Sequence, residues 1–194
     1  MFEQLESWDQ QLFLYLNGLH VEWMDYPMEL ITGIVTWIPL YLVIVYFFQR
    51  KYGWKGVGLV LVFAAFLVLV TDQVSYNGLK NTIERYRPCH NESFGHLVHV
   101  VAGCGGKYGF VSGHAANTFG IAIFSGLVLD SRKWLLGLIC WAAIVSYSRI
   151  YVGVHYPGDI FGGIILGTTL GFVMANLFFL AKQKLLSGNS PETS

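Results

Sequence analysis

Val57-Gly-Leu-Val-Leu-Val-Phe-Ala-Ala-Phe-Leu-Val-Leu-Val70 contains no polar side chain. With its flanks, from Lys55 to Leu79, it is long enough to cross a bilayer as a helix, which takes roughly 20 apolar residues. The composition of the whole chain agrees. Of its 194 residues 54% are hydrophobic and only 12% are charged. A soluble domain carries about 25% charged residues, so the deficit marks an integral membrane protein. Aromatic residues make up 16%, which suits interfacial belts of Trp and Tyr. The net charge is zero, and nothing points to nucleic acid. No cleavable signal peptide is expected, because the N-terminus lacks a basic region and its apolar stretch is interrupted by Asn17, His20 and Glu22.

Working outward, Pro27 to Phe48 reads as a span before this one. Gly113 to Leu129, Trp134 to Ile150 and Asp159 to Ala181 read as three after it. Residues 4–20 place Leu5, Trp8, Leu12, Tyr15 and Leu16 at helical spacing. They are read as a helix lying in the interface, with a sixth span as the alternative. The expected fold is all-α: a polytopic bundle of about five transmembrane helices plus the N-terminal helix. One domain is expected over 1–184, with a disordered polar tail at 185–194.

Basic residues set the expected orientation. Arg50, Lys51 and Lys55, then Arg132 and Lys133, then Lys182 and Lys184 fall on alternate connections. An excess of Lys and Arg marks the cytoplasmic side. The remaining connections therefore face outward, into the periplasm if the source is a Gram-negative bacterium, and the protein is placed in a bacterial inner membrane.

Those outward connections carry the chemistry: Lys80-x6-Arg87-Pro88, then Ser112-Gly113-His114, then Ser148-Arg149-x5-His155-x3-Asp159. A lone Arg at the end of an apolar helix is usually an anchor. Three cations at three helix ends, each beside a His or a Ser-Gly element, fit a shared anion better. Guanidinium binds phosphate oxygens in pairs. Ser112-Gly113 opens a helix, whose free amides favour an anion. Asp159 can reach one nitrogen of His155 and leave the other as nucleophile. His114 is then the general acid. No acidic cluster has the spacing of a divalent-metal site, so no metal and no cofactor are expected. Cys89 and Cys104 share the long loop between Lys80 and Ser112. Two reduced thiols or a disulfide both fit; a bond would pin the loop beside Arg87.

The three clusters resemble the motifs of the type 2 phosphatidic acid phosphatase (PAP2) superfamily, which also includes vanadium haloperoxidases. Their order and internal spacing match over residues 80–159; Val111 stands where the family has proline. The resemblance implies that Lys80, Arg87, Ser112, Gly113 and Arg149 bind phosphate. It implies that His155 forms a phosphohistidine, with Asp159 orienting it and His114 protonating the leaving group. The partners implied are the bilayer and a lipid phosphate; no obligate protein partner is inferred. Candidate substrates are lipid A phosphate, undecaprenyl diphosphate, phosphatidylglycerol phosphate and phosphatidic acid. The Cys89-His90 and Gly105-Gly106-Lys107-Tyr108-Gly109 elements look like members from the Bacteroidetes. A vanadate-dependent haloperoxidase and a non-catalytic lipid transporter are the alternatives. The apolar helices weigh against the first and the complete His114, His155, Asp159 set against the second.

Overall fold

Inside a bilayer, backbone amides find no water, and a helix satisfies them within one segment. The structure, a computed structural model, describes residues 2–101 and 103–187, and is built from helices. They are α1 (Phe2–Gly18), α2 (Glu22–Thr32), α3 (Ile38–Gln73), α4 (Gly113–Leu129), α5 (Arg132–Tyr151) and α6 (Pro157–Ser187). Among the described residues no strand forms; Tyr86 and Tyr108 make an isolated bridge. Of the tail expected from residue 185, residues 185–187 are helical and end α6. Residues 188–194 lie outside the described residues.

α3 is a hairpin rather than one rod. As a straight helix its 36 residues would extend about 54 Å, nearly twice the hydrocarbon core. Gly53 breaks it with φ 66° and ψ 178°, backbone that favours glycine. At that turn Tyr52 Oη donates to Val128 O, at the far end of α4. Asp72, near the close of the second arm, meets Asn117 near the start of α4. The second arm therefore runs antiparallel to α4, and the hairpin supplies two crossings. With α4, α5 and α6 the bundle has five.

The first crossing differs from the sequence expectation. Pro27 to Phe48 is not continuous: α2 ends at Thr32, Gly33 is extended, and a single 3₁₀ turn, Val35–Trp37, precedes α3. Trp37 Nε1 donates to Ile31 O at 2.8 Å, closing the end of α2. Pro39 then opens α3, in the first turn where its missing N–H costs nothing. Pro27, read as a helix start, lies inside α2.

α4 is the centre of the bundle. Ala115, Ala116, Ala122, Phe124 and Val128 are all fully buried. A side chain on Gly167 of α6 would collide with the Ala116 carbonyl, and one on Gly171 with Gly120. The glycines let α4 and α6 pack backbone against backbone, as small residues do in lipid.

α1 crosses one end of the bundle instead of threading it. Asp9 accepts from the Gly158 amide, Phe13 packs edge-on to Tyr156, and Asn17 donates to Ile150 O and Tyr151 O. All of these partners sit where α5 ends and α6 begins. Trp8, Leu12 and Tyr15 stay exposed, as an interfacial helix requires.

Candidate active site

The side chains singled out from the sequence lie at or beside helix ends at that same pole of the bundle. Ser112 caps α4, its Oγ accepting from Ala115 N at 3.4 Å, and its own amide donates to Asp159 O at 3.0 Å. This second bond ties the head of α4 to the head of α6. His114 follows one residue inside α4. Arg149 ends α5, and Gly153, with φ 83°, turns the chain beneath His99 toward His155. A side chain there would strike the His99 carbonyl. Lys80 ends the π-helical stretch Val74–Lys80 that continues the hairpin.

His155 and Asp159 are buried, at 1% and 0% exposure. His155 Nδ1 lies 3.3 Å from Asp159 Oδ2, and the Tyr156 amide donates to the same oxygen at 3.1 Å. The other oxygen, Oδ1, accepts from Arg85 Nη1 at 2.9 Å. Burial, only partly opposed by Asp159, pushes His155 down to about 4. The imidazole is therefore neutral at physiological pH, the form that can attack.

The cations surround this pair. Arg87 is fixed by its loop: Nη1 donates to Cys104 O at 2.7 Å and Nε to Tyr108 O at 3.2 Å. Cys104 is in turn joined to Cys89 by a disulfide, with Cα atoms 5.9 Å apart. Arg149 donates through Nη1 to Thr32 Oγ1, while its Nε is buried without a protein partner. A buried donor left open in this way has room for a ligand oxygen. Lys80 feels the charges of Arg87, Arg149 and Asp159, and His114 those of Arg149, His155 and Lys80. The eight residues singled out from the sequence thus converge, although they come from three separate stretches of the chain.

Three participants were not singled out from the sequence. Arg85 clamps Asp159 and bonds Asp9 of α1 at 2.8 Å. Burial weakens its charge, but Asp159 and Asp9 outweigh that and its pKa is raised. Its guanidinium also lies 4.1 Å above the Tyr156 ring. Asp9 and Thr32 are the other two. The only signal for Arg85 was its place two residues before Arg87; nothing in the local sequence announces its distant partners.

A cavity of about 690 Å³ opens beside His114, between the arms of α3 and helices α4 and α5. Ile44, Phe48, Val60, Leu61 and Trp141 line its depth, and Asp72, His114 and Asn117 its head. This is the shape of a polar head with an apolar chain.

A bundle of five crossings with a cation-ringed His–Asp pair at one pole defines a phosphatase of the membrane. The family profile of the PAP2 superfamily matches residues 57–183, and the chain belongs to that superfamily. It is 38% identical over 196 aligned residues to the lipid A 4′-phosphatase of Bacteroides thetaiotaomicron, covering 100% of this chain and 85% of that protein. It is 32% identical to the lipid A 4′-phosphatase of Porphyromonas gingivalis, over 94% of this chain and 78% of that one. Its fold is like that of the transmembrane PAP2-type phosphatidylglycerolphosphate phosphatase from Bacillus subtilis. The TM-score is 0.66 at 23% identity, over 90% of this chain and 86% of that chain.

Proposed function

We propose that the protein removes a terminal phosphate from a membrane lipid through a phosphohistidine on His155, with lipid A 4′-phosphate the first substrate to test. The observation that carries the mechanism is the buried His155, held through Nδ1 by Asp159 and lying in the field of Arg87 and Arg149. Neutral His155 attacks phosphorus through Nε2. The bond from phosphorus to the lipid oxygen breaks, and His114 gives its proton to that oxygen. Water then attacks the phosphohistidine and gives a proton to His114. The phosphorus–nitrogen bond breaks, its electron pair returns to His155, and phosphate leaves.

Lys80, Arg87 and Arg149, with Ser112 and the Gly113 amide, supply the charge stabilisation that metal ions supply elsewhere. The cavity beside His114 takes the chain of the departing lipid. The two lipid A 4′-phosphatase relatives favour that substrate, ahead of undecaprenyl diphosphate, phosphatidylglycerol phosphate and phosphatidic acid. One catalytic domain over 1–184 fits the docking of α1 onto the ends of α5 and α6.

The face is assigned by charge. Arg50, Lys51, Lys55, Arg132, Lys133, Lys182 and Lys184 gather at the pole opposite the site, where Lys51 donates to Leu129 O and Lys182 lies over Tyr52. Under the positive-inside rule that pole is cytoplasmic. The site then opens to the outer face of a bacterial inner membrane, the periplasmic one.

Phosphate release by the purified protein across a panel of these lipids, in EDTA, tests the reading. Release from lipid A is expected, with none from the His155→Ala protein. Complete loss in EDTA that Mg²⁺ restores would contradict it.

A further inference from the structure

One polar pair on the cavity wall takes no part in holding phosphate. Asp72 comes from the second arm of α3. Asn117 comes from α4, three residues after His114, on the same face of the helix. Asn117 Nδ2 donates to Asp72 Oδ1 at 2.8 Å. That single bond aligns the pair and consumes one donor. Besides the second N–H of Asn117, it leaves two acceptors on residues that line the cavity: the second carboxylate oxygen of Asp72, and Asn117 Oδ1, which is buried with no partner.

A carboxylate at this place has a cost. It lies near membrane depth, where charge is expensive, and its charge bears on Lys80, one of the phosphate cations. Apart from this pair, His114 and the hydroxyls of Tyr41, Thr118 and Ser125, the cavity is lined by apolar side chains, so a bare hydrocarbon chain would leave Asn117 Oδ1 buried and unsatisfied. A substrate with donors close to its phosphate would satisfy both oxygens.

Resting on the lipid phosphatase reading, we infer that Asp72 and Asn117 are a headgroup site. They accept hydrogen bonds from hydroxyl or amide N–H groups beside the phosphate-bearing carbon. The pair selects sugar- and polyol-headed lipid phosphates over prenyl phosphates.

The test compares two phosphomonoesters on the same preparations: phosphatidylglycerol phosphate, with a hydroxyl on the neighbouring carbon, and farnesyl monophosphate, with none. Asp72→Ala and Asn117→Ala are each expected to lower kcat/KM for phosphatidylglycerol phosphate by at least about ten-fold, the effect of one hydrogen bond to a charged or buried acceptor. For farnesyl monophosphate the change should be under about three-fold, so the ratio of the two values collapses. Because the ratio is taken within one preparation, partial misfolding cancels. Asp72→Asn, which keeps the shape, should fall between wild type and Asp72→Ala. Equal losses on both lipids would overturn the inference and make the pair structural, and so would no loss on either. A wild-type enzyme that prefers farnesyl monophosphate would overturn it while sparing the phosphatase reading. A wild-type enzyme inactive on both and on lipid A would sink that reading first.

Discussion

Arg85 governs how Asp159 can serve His155. A carboxylate with two free oxygens can rotate; here Arg85 holds Oδ1 while the Tyr156 amide and His155 hold Oδ2. Arg85 touches no position assigned to phosphate, so it acts by positioning. Arg85→Ala is expected to lower kcat by about 10–100-fold, the scale of a misplaced reacting group, with KM little changed. Arg85→Lys should recover part of it. Steady-state kinetics on lipid A decides, and a loss confined to KM would contradict the assignment. His155 offers a second test. A free imidazole titrates near about 6.5, whereas burial holds His155 near about 4. Folded His155 therefore stays neutral between those values while the unfolded chain takes up a proton. Its contribution to stability is full above the unfolded value and is lost as pH falls toward the folded one. Nitrogen NMR of labelled protein in nanodiscs should show a His155 midpoint close to 4, lower still in Asp159→Asn; a midpoint near 6.5 would contradict the burial argument.

Among the elements, the loop of residues 89–104 matters most, because Arg87 is held by carbonyls and not by a counter-ion. Cys104 O is one of those carbonyls, and the disulfide ties it back to Cys89, 15 residues away. A closed loop of this length contributes about 3 kcal/mol. Replacing Cys89 and Cys104 by serine should lower unfolding stability by about 2–4 kcal/mol and raise KM for the lipid phosphate. Calorimetry and kinetics check this; unchanged values of both would show that the loop is held without the bond. The elements also show what sequence can tell. α4 and α5 were legible to within two residues, and α6 at its start, because lipid demands long apolar runs, and Ser112 and Pro157 mark helix starts; α6 runs on to Ser187, past the expected Ala181. The break between α2 and α3 was not. Gly33 and Trp37 interrupt a run that carries no charge from Leu30 to Phe48, and hydropathy does not register a 3₁₀ turn.

At the scale of the molecule, the motifs were legible because each lies within a few residues of one helix end, and local spacing carries to the site. The clamp was not, because Arg85 meets Asp159 across 74 residues and Asp9 across 76. Such a partnership exists only once α1 has docked over the heads of α5 and α6. The same docking frames the pole that carries the site: α1 reaches Asp159 through Asp9 and Arg85, and the disulfide loop holds Arg87 through Cys104 O. The proposed mechanism has one central consequence, a covalent phosphate on one nitrogen. Purified enzyme mixed with ³²P-labelled lipid A and quenched within milliseconds should carry acid-labile, alkali-stable label on the peptide containing His155, with none in His155→Ala. Turnover without labelled protein, or label that survives His155→Ala, would contradict the account.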